Sequence, residues 1–126
     1  MNRPLLAGLA FLSIAAAADK QPEVHGSLDK EVIRAVIHSH LSDVKSCYDK
    51  ALAAKPDLAG RLTVQFVVNK EGGVSAAVKQ EATFDNALAE GCILDAVKRW
   101  KFPAPDGGGI VVVTYPFILK TENAKP

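Results

Sequence analysis

His38 and His40, three serines beside them, Cys47 and Cys92, and a basic turn around Trp100 are the residues whose types and spacing invite chemistry. Two histidines two positions apart on a helix point to nearly opposite faces, so His38 and His40 do not share a metal ion and read as solvent-facing. Ser39, Ser42 and Ser46 stand near them in no nucleophile context. Asp43, Asp49, Asp57 and Glu90 read as solvated carboxylates. The cysteines have no further ligands spaced for zinc and no Cys-x-x-Cys pair for redox catalysis. Lys98, Arg99 and Lys101 offer a contact for phosphate or a lipid headgroup, but complementing the negative end of a helix dipole is the simpler account. Gly107-Gly108-Gly109 lead into a strand rather than opening a helix, which is not the geometry of a phosphate loop. Trp100 and Tyr48 read as core anchors. Nowhere do a nucleophile, a base and an oxyanion donor assemble. The expectation is a chain that is not an enzyme and carries no metal or cofactor.

The elements that must position these residues occupy one domain of a 126-residue chain. Charged residues make up 23% and hydrophobic ones 48%, a globular balance that argues against disorder of the whole chain. The formal net charge of +1 resides in Arg3, so the remainder is neutral and has no global field to steer it onto nucleic acid or anionic lipid. Met1-Asn2-Arg3, the apolar run Leu5 to Ala15 and the small residues Ala16-Ala17-Ala18 have the pattern of an export signal cleaved after Ala18. The run is short for a membrane span, and a retained anchor is the runner-up. Export to the periplasm makes two cysteines a disulfide candidate. Closing the loop between Cys47 and Cys92 is worth roughly 4 kcal/mol in the chain-entropy model.

Residues 19–26 read as a polar leader, with Ser27 or Asp29 placed to cap a helix. Ile33, Ile37, Leu41, Val44, Tyr48 and Leu52 recur at three- and four-residue steps, predicting one helix of about seven turns that ends before Pro56. A bend is expected near Ser39-His40. Leu62, Val64, Phe66 and Val68 alternate with their neighbours, the turn 69–73 carries glycines, and Val74, Ala76 and Val78 return, which is a hairpin. Asp85 or Asn86 caps a second helix that buries Ala89, Ile93, Ala96, Val97 and Trp100. Gly91 inside it signals close packing or lower helix stability. Pro103 and Pro105 stop the helix, and a strand runs from Ile110 to Leu119.

That last strand is the candidate site. Pro116 cannot donate to a ladder and favours an edge or a bulge. Ile110, Val112, Thr114, Pro116 and Ile118 form the expected partner-binding edge, with Trp100, Phe102, Tyr115 and Phe117 as the core anchors behind it. A partner strand gains main-chain hydrogen bonds there, and alternate side chains set specificity. If the amide of Val112 faces the open edge, proline at that position abolishes capture. The rival readings are a strand covered by the leader or tail and a homodimer through the same edge.

Gly60-Arg61-Leu62-Thr63-Val64-Gln65-Phe66-Val67-Val68, Lys70-Glu71-Gly72-Gly73-Val74, Val97-Lys98-Arg99-Trp100-Lys101-Phe102-Pro103 and Gly109-Ile110-Val111-Val112-Val113 resemble the C-terminal domain of TonB. Gly26-Ser27-Leu28-Asp29-Lys30-Glu31-Val32-Ile33, Cys47-Tyr48, Cys92 and Trp100-Lys101-Phe102-Pro103-Ala104-Pro105 bring the match closer to the AgmX/PglI C-terminal domain family. Those are TonB-like modules of myxobacterial envelope and gliding-motility proteins. The resemblance spans about residues 26 to 119 and lies in the order and spacing of the motifs together. It implies an α+β, two-layer fold in the order α-β-β-α-β, with a three-stranded antiparallel sheet packed by two helices. On this view residues 27–119 form the domain and 120–126 a disordered tail. The resemblance also implies a periplasmic protein-binding module that captures an extended peptide of an envelope or outer-membrane protein within a TonB-like transport or motility complex.

Overall fold

The computed structural model of the chain describes residues 22–121. The export signal expected over 1–18 and the end of the expected tail lie outside the described residues. The first described element is a strand, β1 (Glu23–His25). Asp29 then caps helix α1 (Lys30–Ser39), its carboxylate accepting the Glu31 N–H at 2.7 Å. Ile33 and Ile37 are the residues that α1 buries.

At the expected bend the helix stops altogether. The Ser39 hydroxyl bonds back to the Val36 carbonyl at 2.6 Å, and His40 leaves helical geometry at φ −112°, ψ 9°. Helix α2 (Leu41–Ala54) restarts from there and buries Val44, Cys47, Tyr48 and Ala51. The Tyr48 hydroxyl donates to the Leu58 carbonyl and pins the loop that follows. Burial, with the Asp49 charge adding to it, pushes that phenol above its ordinary value of 10.

The expected hairpin forms, with β2 (Gly60–Val68) and β3 (Val74–Ala82) antiparallel, but a register shift after Val74 turns Ala77 inward and leaves Val78 exposed. Leu62, Val64, Phe66 and Val68 fill the inner face. The Asn69 side chain accepts the N–H groups of Glu71 and Gly73, both at 3.0 Å, and shapes the turn. Gly72 sits at φ +95° with its backbone against Phe102, whose N–H donates to the Gly72 carbonyl at 2.8 Å. A side chain there would collide with the Phe102 carbonyl, so only glycine lets the turn dock on the chain after the last helix.

Asn86 caps helix α3 (Ala87–Lys98) by accepting the Ala89 N–H at 2.9 Å. The prolines follow, a single 3₁₀ turn spans Asp106–Gly108, and β4 (Val111–Leu119) closes the fold. The buried stripes of the helices and the inner face of the sheet merge into one core.

The sheet has four strands in the order β1-β4-β2-β3, rather than three, and three helices pack with it rather than two. The element order is therefore β-α-α-β-β-α-β. Part of the expected polar leader is β1, which pairs Glu23, Val24 and His25 with Thr114, Val113 and Val112. Val24 alone turns toward the core, and a single inward residue between polar neighbours carries no readable alternation. Gly26, at φ +138°, lets the chain swing from β1 into α1 against the backbone of Ile110 and Val111. The last strand begins one residue later than expected, at Val111.

Cys47 of α2 and Cys92 of α3 lie at disulfide distance, with 5.6 Å between their Cα atoms and 45 residues between them in sequence. Replacing both by serine should lower the unfolding free energy by roughly 4 kcal/mol relative to the oxidised chain, measured by urea denaturation. Gly91 contradicts the close-packing expectation, because a Cβ there would meet nothing within 4 Å. Gly91→Ala should therefore stabilise the chain by about 1 kcal/mol, read as a higher thermal midpoint.

Candidate partner-binding flank

The ladder between β2 and β4 runs without interruption from Gly60↔Leu119 to Val68↔Val111 and passes through Thr63↔Pro116. Proline has no N–H to give, so Pro116 is not among the residues that exchange hydrogen bonds with β2. The amides of Tyr115 and Phe117 therefore face β2. Those of the even-numbered residues face the other flank. On that flank β1 stands opposite residues 112–114 and no further. Beyond Thr114 the carbonyl of Pro116 and both backbone groups of Ile118 have no strand beside them among the described residues.

Helix α2 overhangs this stretch. A groove of about 660 Å³ lies between Leu41, Val44, Tyr48 and Leu52 of the helix and Tyr115, Phe117 and Leu119 of the strand. Its walls are mainly apolar, and its size falls within the range of ligand-binding clefts. Lys45 and Asp49 sit at its rim, joined to each other at 2.8 Å. That pair is exposed, so it contributes little to stability.

The expected edge residues divide between two environments. Ile110 precedes the strand and lies beside Gly26. Val112 and Thr114 are paired with His25 and Glu23, so the Val112 amide is turned to β1 and not to an open edge. Pro116 and Ile118 stand on the open stretch, and the Ile118 side chain is 62% exposed on the outer face. Among the anchors, Trp100 meets the Phe117 ring edge-on at 6.2 Å, and Phe117 in turn meets Tyr115 at 5.0 Å. Phe102 stacks on Phe66 of β2 and so supports the neighbouring strand rather than β4 itself. The wall from α2 was not foreseen, because Leu41, Val44 and Leu52 read from the sequence only as a helix stripe. Nothing in the stripe itself separates residues that wall a groove from residues that fill the core.

No family model matches the chain, and no curated protein matches it. Among solved structures, it is similar to the TonB C-terminal domain of Pseudomonas aeruginosa, determined in solution by NMR. The two are 21% identical over 59% of this chain and 77% of that one, with a TM-score of 0.46. The narrower resemblance to AgmX/PglI modules rests on the residue pattern alone.

Of the residues singled out for chemistry, Tyr48 and Asp49 line the groove, and the others lie apart from it or in structural roles. His38 is exposed, and His40 is half-buried, one ring face stacked on Trp100 at 5.0 Å while its side chain stays 36% exposed. Asp43 is not simply solvated, since it accepts the Trp100 indole N–H at 3.1 Å. Among the described residues no group of three or more His, Cys, Asp or Glu side chains is placed to hold a metal ion, and no helix is long and apolar enough to cross a membrane.

Glu90 also departs from the solvated reading. Its side chain is 11% exposed, accepts from Lys79 at 2.9 Å and from the Asn86 N–H at 3.2 Å, and fastens α3 to β3. Burial pushes its carboxyl up, but the Lys79 hydrogen bond, the Asn86 amide and the Lys79 charge outweigh burial and leave it below the ordinary 4.5. A carboxyl held low when folded stabilises the chain above that ordinary value and loses its contribution as pH falls through the folded one. Thermal melts of the parent and Glu90→Gln should therefore differ most near neutral pH and converge as the pH drops below about 4.5.

Proposed function

We propose that the chain is a protein-binding module without catalytic activity, which takes an extended segment of another protein by β-strand addition to the open stretch of β4. The observation that carries this reading is the combination of backbone groups at Pro116 and Ile118 that no strand pairs among the described residues with an apolar groove roofed by α2. Strand edges left open are normally blunted; Pro116 blunts one position of this edge, but the stretch is also furnished with an apolar wall. Backbone hydrogen bonds supply attachment in such sites, and the wall supplies selection.

The Cys47–Cys92 pair supports an extracytoplasmic setting, because disulfides persist where thiols are not kept reduced. The partner is accordingly a segment of an envelope or outer-membrane protein, met in the periplasm. The motif resemblance to TonB-like modules adds a transport or motility complex as the setting. Dimerisation through the same flank is the rival outcome and would appear in sedimentation of the chain alone.

Ile118→Pro tests this reading directly. The substitution removes the one N–H that faces the open flank and leaves the bonds to β2 in place. Capture of envelope proteins should drop to background while the thermal midpoint stays near that of the parent. Undiminished capture by the folded variant would refute strand addition at this site.

A further inference from the structure

The geometry points to a carboxylate-binding seat on the outer face of the sheet, built by Arg61 and Thr63 of β2. It lies across the sheet from the groove and does not depend on strand addition. Leu62 and Val64 fill the core, so Arg61, Thr63 and Gln65 project to the opposite face. Pro116 of β4 and Glu81 of β3 stand directly opposite Thr63, and Ile118 stands opposite Arg61.

Two polar atoms there are buried without a hydrogen bond among the described residues: Nε of Arg61 and Oγ1 of Thr63. The main chain is not at fault, since the Arg61 N–H donates to the Thr83 hydroxyl at 2.8 Å and the Arg61 carbonyl accepts from the Thr83 N–H at 3.0 Å. Thr63 is only 8% exposed. A hydroxyl buried without a partner costs stability, and valine would fill the same strand position without that cost. Glu81 does not satisfy the guanidinium. Its Oε2 stands 3.8 Å from Nη2 of Arg61, beyond hydrogen-bond reach. Because Glu81 opposes Thr63, that approach draws the guanidinium toward the row of Thr63.

These donors define the ligand. Nε–H and one Nη2 N–H of a guanidinium lie parallel along one edge, at the spacing of two carboxylate oxygens. The Thr63 hydroxyl supplies a third donor. A single carbonyl oxygen cannot fill that set, and a phosphate would set more than one negative charge beside Glu81. The Arg61–Glu81 pair is loose enough for a competing carboxylate to displace Glu81 from the guanidinium. Exposed Ile118 and Val78 flank the row with aliphatic surface. The ligand class is therefore a carboxylate on an aliphatic body, either a free acid or the C-terminus of a polypeptide.

The probes are hexanoate and the tripeptide acetyl-Gly-Val-Val, the latter as free acid and as C-terminal amide. Each is titrated into the purified chain at constant ionic strength while backbone amide shifts are followed. A carboxylate probe should move the amides of residues 61–65, and the tripeptide amide should bind at least about tenfold more weakly than its acid. Arg61→Lys keeps the charge but not the paired edge, and should weaken carboxylate binding at least about tenfold. Glu81→Gln should strengthen it. Thr63→Val should weaken binding and yet raise the thermal midpoint by about 4 °C or more, because it removes the unpaired hydroxyl.

Binding of hexanoate alone assigns the seat to a free acid, and binding of the tripeptide acid alone assigns it to a chain terminus. Equal binding of tripeptide acid and amide, undiminished binding by Arg61→Lys, or binding of no carboxylate would overturn the seat. So would a lower midpoint for Thr63→Val, which would show the hydroxyl already satisfied. None of these outcomes bears on capture by the open stretch of β4, which Ile118→Pro tests separately.

Discussion

The buried indole of Trp100 is the contact through which the separate parts of this small fold hold one another. It is 2% exposed and stands just past the end of α3. Its N–H reaches Asp43 near the start of α2, one ring face is covered by His40 at the junction of α1 and α2, and Phe117 of β4 meets it edge-on. A buried indole needs a partner for its N–H, and Asp43 supplies it from another element. Three helices and the last strand are thereby held in fixed relation. Without that clasp the distance between α2 and the end of β4 would not be set, and neither would the width of the groove.

The groove exists because two elements have different lengths. Helix α2 runs for 14 residues, while β1 covers three positions of the nine in β4. The helix overhangs ground that no strand of the described chain fills. Tyr48, which helps to line the groove, also bonds the Leu58 carbonyl, so the helix face is tied to the loop entering β2. The cysteine pair ties α2 to α3 through Cys47, the neighbour of Tyr48. Such a roof is fixed before any guest arrives, which reduces the ordering that binding must impose.

Much of this was legible in the residues and some was not. Alternation over Leu62 to Val68, the glycine turn and the proline stop each reflect a local preference strong enough to decide the local structure. The helix break was readable as a bend because Ser39 and His40 are poor interior residues, although its completeness depends on His40 settling against Trp100. Strand β1 was not readable, because three residues with one inward side chain gain their order from pairing with β4 and not from their own pattern. Glu90 was misread for a similar reason. Its partner Lys79 is turned inward, in phase with Ala77, by the register shift between Val68↔Val74 and Val67↔Ala76, and such a shift leaves no simple mark in sequence.

The sheet ends in two flanks, and they are not equivalent. Strand β3 is nine residues long and has no strand on its outer side among the described residues, so length alone would make it the better docking edge. Two register shifts interrupt its pairing with β2, and charged Lys79 and Glu81 lie along it. Bulges and charges are how edge strands are protected from unwanted pairing. The open stretch of β4 has Pro116, which removes one donor, yet it keeps Ile118 and an apolar wall across from it. One flank is thus defended along its length, and the other is narrowed to a few positions and given a surface that rewards a particular side-chain pattern. That asymmetry favours β4 over β3 as the place where another chain is received.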